Sequence, residues 1–326
     1  MASLILRKNS DLTARKMYSL NKYQVMKRAA VLFSSVFMFC IISGCNNPGN
    51  TSSADSTSTK VDSGTLKADS SGGSTAGFKL GVQMWTFRMF TFTDALNKVD
   101  SSGIKNIEAF FGQKLGGGMQ GEFGTKMSKA TRDQLKQLLQ KKGIQAVAMG
   151  VIGPKNKTEW IQSFELAKDL GLSYITAEPI KTQWDMVDSL AGAYGIPVAI
   201  HDHPKPNMYW SPDSVLAAIQ GHPHIGSCAD IGHWTRNGLN PVDCLKLLQG
   251  HIIGVHFKDV VKFNDSLAND TVVSKGVINF PAVLTELKRQ NFKGMLSIEH
   301  ESNWYHNLPD VIFTKNYYDS LIAKLQ

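Results

Sequence analysis

The residues best suited to chemistry are polar side chains in the second half of the chain, each placed at the end of a short apolar run. They carry carboxylate, imidazole or ammonium groups: Glu178, His201, His203, Asp230, His233, His256, Lys258, Glu299 and Glu301. Carboxylate and imidazole groups hold divalent metals such as Mn²⁺, Co²⁺, Zn²⁺ or Mg²⁺, which polarise bound oxygen atoms. A lone histidine or strand-end acid more often has a structural role. Five successive runs that end in this way predict one shared metal site.

The elements that must position these side chains alternate regularly along residues 78–326. Apolar, β-rich runs predict eight strands, at 80–87, 106–110, 145–151, 174–178, 197–201, 226–230, 252–256 and 295–299. Helical spacing of apolar residues predicts helices between them, among them 130–142, 158–170, 241–248 and 281–290. Alternation of this kind gives parallel βαβ units, and eight units in roughly 250 residues is the size of a (β/α)8 TIM barrel.

A TIM barrel gathers its strand ends at one rim, where active sites of this fold lie. The alternative α/β architecture is an open doubly wound sheet. No G-x-G-x-x-G motif follows the first predicted strand, which weighs against a dinucleotide-binding sheet. We therefore expect the barrel, with the polar residues brought together at its mouth.

Several of these motifs resemble the xylose-isomerase-like TIM barrel superfamily, a group broadly described as sugar phosphate isomerases and epimerases. The resemblance covers residues 78–326 and depends on GVQMWTFR at 81–88, Asp230-x-x-His233, His256 and a glutamate in the eighth strand. Similarity to ketose 3-epimerases implies that Asp230, His256 and Glu299 are metal ligands and that His233 contacts the substrate. The segment HFKD resembles the H-x-K-D segment of the group and implies that Lys258 reaches a substrate oxygen.

The fifth strand departs from this pattern. Many relatives end it with Glu-Asn-His, whereas residues 201–203 here are His-Asp-His. His201 would still be able to bind the metal, or Glu178 from the fourth strand would supply the missing carboxylate. We expect Glu178 as the ligand and His201 as either a ligand or a base. The usual proton shuttle between two glutamates is thereby in question.

The chemistry implied is proton abstraction beside a sugar carbonyl that the metal polarises. A positioned base removes the proton, and its return to another face or atom gives epimerisation or isomerisation. The base candidates are Glu299, Glu178 and His201. Glu108 in the second strand has two open interpretations, a polar wall that points inward or a structural ion pair.

Substrate contacts are expected from Trp85, His203 and Trp234, which follow strand ends. The glycine-rich segment 112–124 lacks the Lys-Ser/Thr ending of a phosphate-binding loop, so it predicts a mobile lid or a substrate loop. No glycine-rich nest follows the seventh or eighth strand, so we expect a non-phosphorylated sugar or glycoside as substrate.

Three functions remain open: a sugar isomerase or epimerase, a lyase or hydrolase of 3-keto-glycosides that uses the same metal site, and a non-catalytic sugar-binding lipoprotein. Nucleic-acid binding is not expected. The formal net charge is +8, but residues 1–45 hold seven Lys or Arg and one acid, which leaves about +2 for the remainder. An apurinic endonuclease would need a basic surface that faces DNA.

The first 77 residues predict export and anchoring. An uncharged apolar run at 29–44 follows Lys27 and Arg28 and ends in ISGC, which resembles a bacterial lipobox with Cys45 as the lipidated residue. Residues 46–77 are rich in Ser, Thr, Gly and Asp and predict a disordered tether. We expect attachment to the outer membrane, facing the periplasm, because Asn46 is not the Asp of inner-membrane retention. Cys228 and Cys244 are expected to remain unpaired thiols.

Overall fold

The computed structural model describes residues 77–325, so the predicted signal peptide, Cys45 and nearly all of the predicted tether lie outside the described residues. The strands in this part are β1 (Lys79–Gln83), β2 (Asn106–Ala109), β3 (Lys114–Gly116), β4 (Met119–Glu122), β5 (Gln145–Ile152), β6 (Tyr174–Ala177), β7 (Val198–His201), β8 (Ile225–Asp230), β9 (Ile252–Phe257), β10 (Asp259–Val260), β11 (Asp270–Thr271) and β12 (Met295–Ile298). Eight of them pair in parallel and close a barrel in the order β1-β12-β9-β8-β7-β6-β5-β2. The prediction of a (β/α)8 barrel is confirmed.

The helices lie between the barrel strands. They are α1 (Phe92–Ser101), α2 (Lys129–Lys142), α3 (Lys157–Leu170), α4 (Trp184–Tyr194), α5 (Pro212–Ile219), α6 (Ile231–Arg236), α7 (Pro241–Leu247), α8 (Phe280–Arg289) and α9 (Leu308–Lys324). Local sequence explains their ends. The Ser128 hydroxyl accepts the Thr131 N–H at the start of α2, and Gly143 ends that helix in the left-handed conformation at φ 59°.

Two segments contain local structure that the sequence does not predict. The first strand ends at Gln83 rather than at 87, because the Gln83 side chain accepts the Trp85 N–H and residues Met84–Phe87 form a 3₁₀ turn. The segment 112–124, predicted as a mobile lid or substrate loop, contains an antiparallel hairpin formed by β3 and β4. Glycines at its turn adopt positive φ, including Gly117 at 60° and Gly118 at 87°, which only glycine adopts readily.

Apolar residues bury both surfaces of the barrel wall, as expected when helices cover a parallel sheet. A separate cluster of buried strand residues contains Tyr174, Cys228 and Met295. A Cβ atom at Gly254 would lie 2.7 Å from the Tyr174 hydroxyl, so this glycine makes room for the tyrosine. Cys228 and Cys244 are both buried and unpaired, as predicted. Within residues 77–325, no helix is both long enough and apolar enough to span a bilayer.

Candidate metal and active site

Four buried side chains converge where neighbouring barrel strands end. His201, Asp230, His256 and Glu299 come from β7, β8, β9 and the residue after β12, and one ligand atom from each lies within 4.8 Å of the others. Nδ1 of His256 lies 3.0 Å from Nε2 of His201 and 3.0 Å from Oε2 of Glu299. Parallel pairing brings them together, since Asp230 and His256 are direct partners between β8 and β9.

The two oxygens of the Asp230 carboxylate have different surroundings. Oδ1 caps α6 by accepting the N–H groups of Gly232 and His233, both at 2.9 Å. Oδ2 is buried and makes no hydrogen bond. Its nearest charged neighbour is Lys258 Nζ at 3.3 Å, and it lies 3.6 Å from His201 Nε2 and 3.7 Å from His256 Nδ1. The ammonium offsets part of the cost of burying this carboxylate. The two imidazoles and two carboxylates of the cluster form a set suited to a divalent transition metal, so the residues fit the predicted ion.

Each of the two histidines in this cluster has a carboxylate next to the ring nitrogen that points away from the cluster. Nε2 of His256 donates to Oε2 of Glu108 at 3.1 Å, and Glu108 is fully buried. Nδ1 of His201 lies 3.5 Å from Oε1 of Glu178, which leaves Nε2 towards the cluster. Carboxylates in this position fix the ring orientation and tautomer of metal-binding histidines. The Glu108 carboxylate therefore points into the barrel, and it also forms an ion pair with His256. The two interpretations from the sequence, an inward polar side chain and a structural ion pair, both apply.

The prediction that Glu178 is a metal ligand is not supported, because this residue lies outside the four-residue cluster. Strand β6 ends at Ala177, and the Glu178 carboxylate turns towards the segment after β7. There it contacts His203 Nδ1 and accepts a hydrogen bond from Asn207 Nδ2 at 2.9 Å. His201 occupies the fourth position of the cluster instead.

His233 and Lys258 lie beside the cluster, as their predicted roles require. His233 Nε2 is 3.5 Å from Asp230 Oδ2, and burial lowers the pKa of His233 well below its usual value, so the ring is neutral. Lys258 is fully buried, and its Nζ lies 2.9 Å from Glu299 Oε2 and 2.6 Å from Glu301 Oε1. Burial disfavours the charge on Lys258, but the surrounding carboxylates outweigh it and raise the lysine pKa.

A cavity of about 560 Å³ opens above this cluster. Its polar lining consists of Gln83, His201, His203, His233, Arg236, Ser266, Asn269, Asp270, Glu299 and Glu301, and its apolar lining includes Trp85, Phe110, Phe111, Val151, Pro204, Leu267 and Ala268. Trp85 and His203 thus lie where a substrate would contact them. The Trp85 indole donates to Glu301 Oε2 at 3.2 Å and packs edge-on against Phe110.

Trp234 does not line the cavity, which corrects its prediction as a substrate contact. It lies on α6 immediately after His233, and its ring is fully buried in the hydrophobic core. Successive residues on a helix point in different directions, so His233 and Trp234 cannot both face the site. Arg236 and Asp270 also line the cavity, and neither is predicted from the sequence. Arg236 follows His233 by three residues on one helix, a spacing that would have identified it, whereas no pattern marks Asp270.

The fold and the site define a class: a parallel eight-stranded barrel with two histidines and two carboxylates that could hold a metal ion at its strand ends. Residues 96–313 match the model of the xylose isomerase-like TIM barrel family. The chain belongs to this family.

Individual relatives agree in fold. A crystal structure of a putative uncharacterized protein from Parabacteroides distasonis is 32% identical, with a TM-score of 0.63, over 75% of this chain and 99% of that one. A D-tagatose 3-epimerase-like protein is 18% identical, with a TM-score of 0.62, over 76% of this chain and 98% of that one, a likeness of fold. An uncharacterized protein of Methanocaldococcus jannaschii is 29% identical over 133 residues, which are 39% of this chain. The chain spans 42% of the length of that relative.

Proposed function

We propose that this protein is a divalent-metal-dependent isomerase or epimerase of a non-phosphorylated sugar. The observation that carries the proposal is the convergence of two buried imidazoles and two buried carboxylates whose ligand atoms lie within 4.8 Å of one another. His201, Asp230, His256 and Glu299 would hold the ion. When bound, the metal would supply Lewis-acid polarisation of a sugar carbonyl and its neighbouring hydroxyl.

Glu299 is the proposed base. Burial would raise the pKa of its carboxyl, but Lys258 and His256 outweigh this effect and hold the pKa below its usual range. Glu299 is therefore ionised at neutral pH, and it lines the cavity. It takes the proton from the carbon next to the carbonyl, and the same carboxyl returns it to the neighbouring carbon in an isomerisation. Epimerisation would need a second group on the opposite face, and His201 would serve there only in place of its role as a metal ligand, because its Nδ1 faces Glu178.

Lys258 and His233 are proposed to contact substrate oxygens. The Lys258 ammonium stays charged beside Glu299 and Glu301, so it would stabilise negative charge that develops on an oxygen during enolisation. The neutral ring of His233 would donate a hydrogen bond to another substrate oxygen. His233 and Glu299 both line the cavity, so a bound sugar would reach them there.

A 3-keto-glycoside lyase or hydrolase is the second candidate, and the apolar part of the cavity lining favours it. The apolar wall formed by Phe110, Phe111 and Leu267 would accept an aglycone. In this reaction the C3 carbonyl acidifies the C2–H, the base takes that proton, and the aglycone leaves from C1 with the electron pair of its bond.

The metal proposal is tested by elemental analysis of the purified full chain after incubation with Mn²⁺, Co²⁺ or Zn²⁺. We expect about one equivalent in the wild type, loss in His256→Ala, and retention in His306→Ala, which removes an exposed histidine outside the cluster. Absence of bound metal from the wild type would reject the proposal. Equal metal content in both variants would place the ion elsewhere.

The reaction is tested by supplying the metal-loaded protein with ketoses and with 3-keto-glycosides. Interconversion of isomers supports the first candidate, and release of an aglycone without interconversion supports the second. Saturable sugar binding with neither reaction would leave the third function, a non-catalytic sugar-binding lipoprotein.

We also propose that the barrel is exported and held at the outer membrane, facing the periplasm, by a lipid on Cys45, with residues 46–77 as tether. The residues that support this proposal are the apolar run at 29–44 and the ISGC sequence that ends it.

A further inference from the structure

Arg236 makes three directed contacts beside the site. Its Nη1 lies 2.9 Å from Nδ1 of His233, its Nε donates to the Ala268 carbonyl at 2.9 Å, and its Nη2 pairs with Oδ1 of Asp270. The Asp270 carboxylate is itself buried, and its Oδ2 accepts the Glu301 N–H at 2.9 Å. The guanidinium is therefore fixed on three sides. Arg236 and Asp270 both line the cavity, and the contact with His233 is the one that joins the guanidinium directly to a side chain beside the four-residue cluster.

The contact between Arg236 and His233 determines where the imidazole carries its proton. A guanidinium has only N–H donors and no acceptor. Nδ1 of His233 must therefore present its lone pair to Arg236. A neutral imidazole has one N–H, which is then on Nε2. An imidazolium is excluded, since it would direct an N–H at the guanidinium.

This tautomer determines which chemical group His233 presents to the cavity. Nε2 lies 3.5 Å from Asp230 Oδ2, next to the cluster. A protonated Nε2 has no lone pair for a metal and cannot accept a proton from a substrate carbon. His233 groups with His201 and His203 as a possible three-histidine ligand set, and this tautomer removes it from that set.

We propose that Arg236, held in place by Asp270, is a positioning residue that fixes His233 in the Nε2–H tautomer. His233 is thereby a permanent hydrogen-bond donor to a substrate oxygen, and neither a metal ligand nor a base. The donor role rests on the proposed function. The tautomer itself does not, because it follows from contacts within the protein.

The tautomer is tested by long-range ¹H–¹⁵N spectra of the full chain labelled at its nine histidines, recorded without metal or sugar. His233→Gln assigns the His233 signals by their loss. We expect Nδ1 of wild-type His233 to have the shift of an unprotonated nitrogen and Nε2 that of a protonated one. Arg236→Met should mix the two tautomers, and Arg236→Lys, which keeps a cationic donor, should restore part of the wild-type pattern. His300, which faces Asp310, should not change and serves as the internal control.

A wild-type His233 with its proton on Nδ1 overturns the proposal, as does an unchanged His233 pattern in Arg236→Met. If Arg236→Met does not fold, Asp270→Asn, which frees the guanidinium on one side, provides the same comparison. Kinetics then test the donor role separately. Arg236→Met should lower kcat roughly 100-fold with a much smaller change in KM, as loss of a transition-state donor does. If wild-type His233 has the Nε2–H tautomer but the protein has no activity, the proposed function is wrong. The role of Arg236 in fixing the tautomer would still hold.

Discussion

Both ring nitrogens of His256 have partners. Nδ1 faces Glu299 in the cluster, and Nε2 donates a hydrogen bond to Glu108. Glu108→Gln keeps the volume of the side chain but removes the carboxylate behind the ring. We expect the metal affinity to fall by roughly 10- to 100-fold, because the imidazole loses its fixed orientation and some basicity. Metal titration monitored by calorimetry measures the change.

The matched control for Glu108→Gln is Glu286→Gln. Glu286 is also a buried glutamate, but it pairs with Arg289 on α8, away from the cluster. Its substitution should leave metal affinity unchanged. Equal affinities in the wild type and in Glu108→Gln would contradict a role for Glu108 in orienting His256.

The thiols of Cys228 and Cys244 should be unreactive in the folded protein. Burial raises the pKa of each to about 12, so the thiolate fraction at pH 8 is about 10⁻⁴. We expect iodoacetamide to modify both at least about 10³-fold more slowly in the native protein than in urea. Peptide mass spectrometry reports each site. Fast native labelling at one cysteine only would show that its surroundings open locally.

Helix α3 illustrates how an element outside the site contributes to stability alone. The Asn156 side chain accepts the Glu159 N–H at 3.0 Å, and the Glu159 carboxylate in turn accepts the Lys155 N–H at 2.8 Å. Asn156→Ala removes this cap and should lower the free energy of unfolding by about 1 kcal/mol, with metal content unchanged. Urea denaturation gives the value. Asn97→Ala, at an exposed position within α1, is the control and should stay within about 0.5 kcal/mol of the wild type.

The barrel strands could be predicted to within a few residues because each is an apolar run bounded by polar or glycine residues. The first strand was predicted too long, since Trp85 and Phe87 have high β-propensity while the cap by Gln83 depends on side-chain geometry. Alternation places residues inside a strand, so the sequence predicts that Asp230 and His256 point into the barrel, and the structure brings them together there. Glu178 lies one residue beyond β6, where the following turn decides its direction. The irregular segment 261–269, which precedes Asp270, has no periodicity, so the pairing of Asp270 with Arg236 could not be predicted.

At the scale of the whole molecule, Cys45 is proposed to decide where the barrel resides. Cys45→Ser removes the thiol that a lipid would modify, so we expect the protein to move from the detergent phase to the aqueous phase in a cloud-point partition of cells. Cys40→Ser, five residues earlier in the apolar run, should partition as the wild type does. Detergent partition by Cys45→Ser equal to that of the wild type would show that the apolar run itself is the anchor.

Metal binding should stabilise the whole barrel. Its proposed ligands lie on or directly after β7, β8, β9 and β12, and β8 and β12 are the two strands that pair with β9. Strand β12 precedes Glu299 and also pairs with β1, which closes the barrel. A ligand at 100 times its Kd adds about 2.7 kcal/mol, which is roughly 5–10 °C in Tm for a domain of this size. Thermal unfolding with Mn²⁺ and with EDTA measures the shift. His256→Ala should unfold at one temperature in both conditions, and a metal-dependent shift that persists in this variant would mean that the ion binds outside the four-residue cluster.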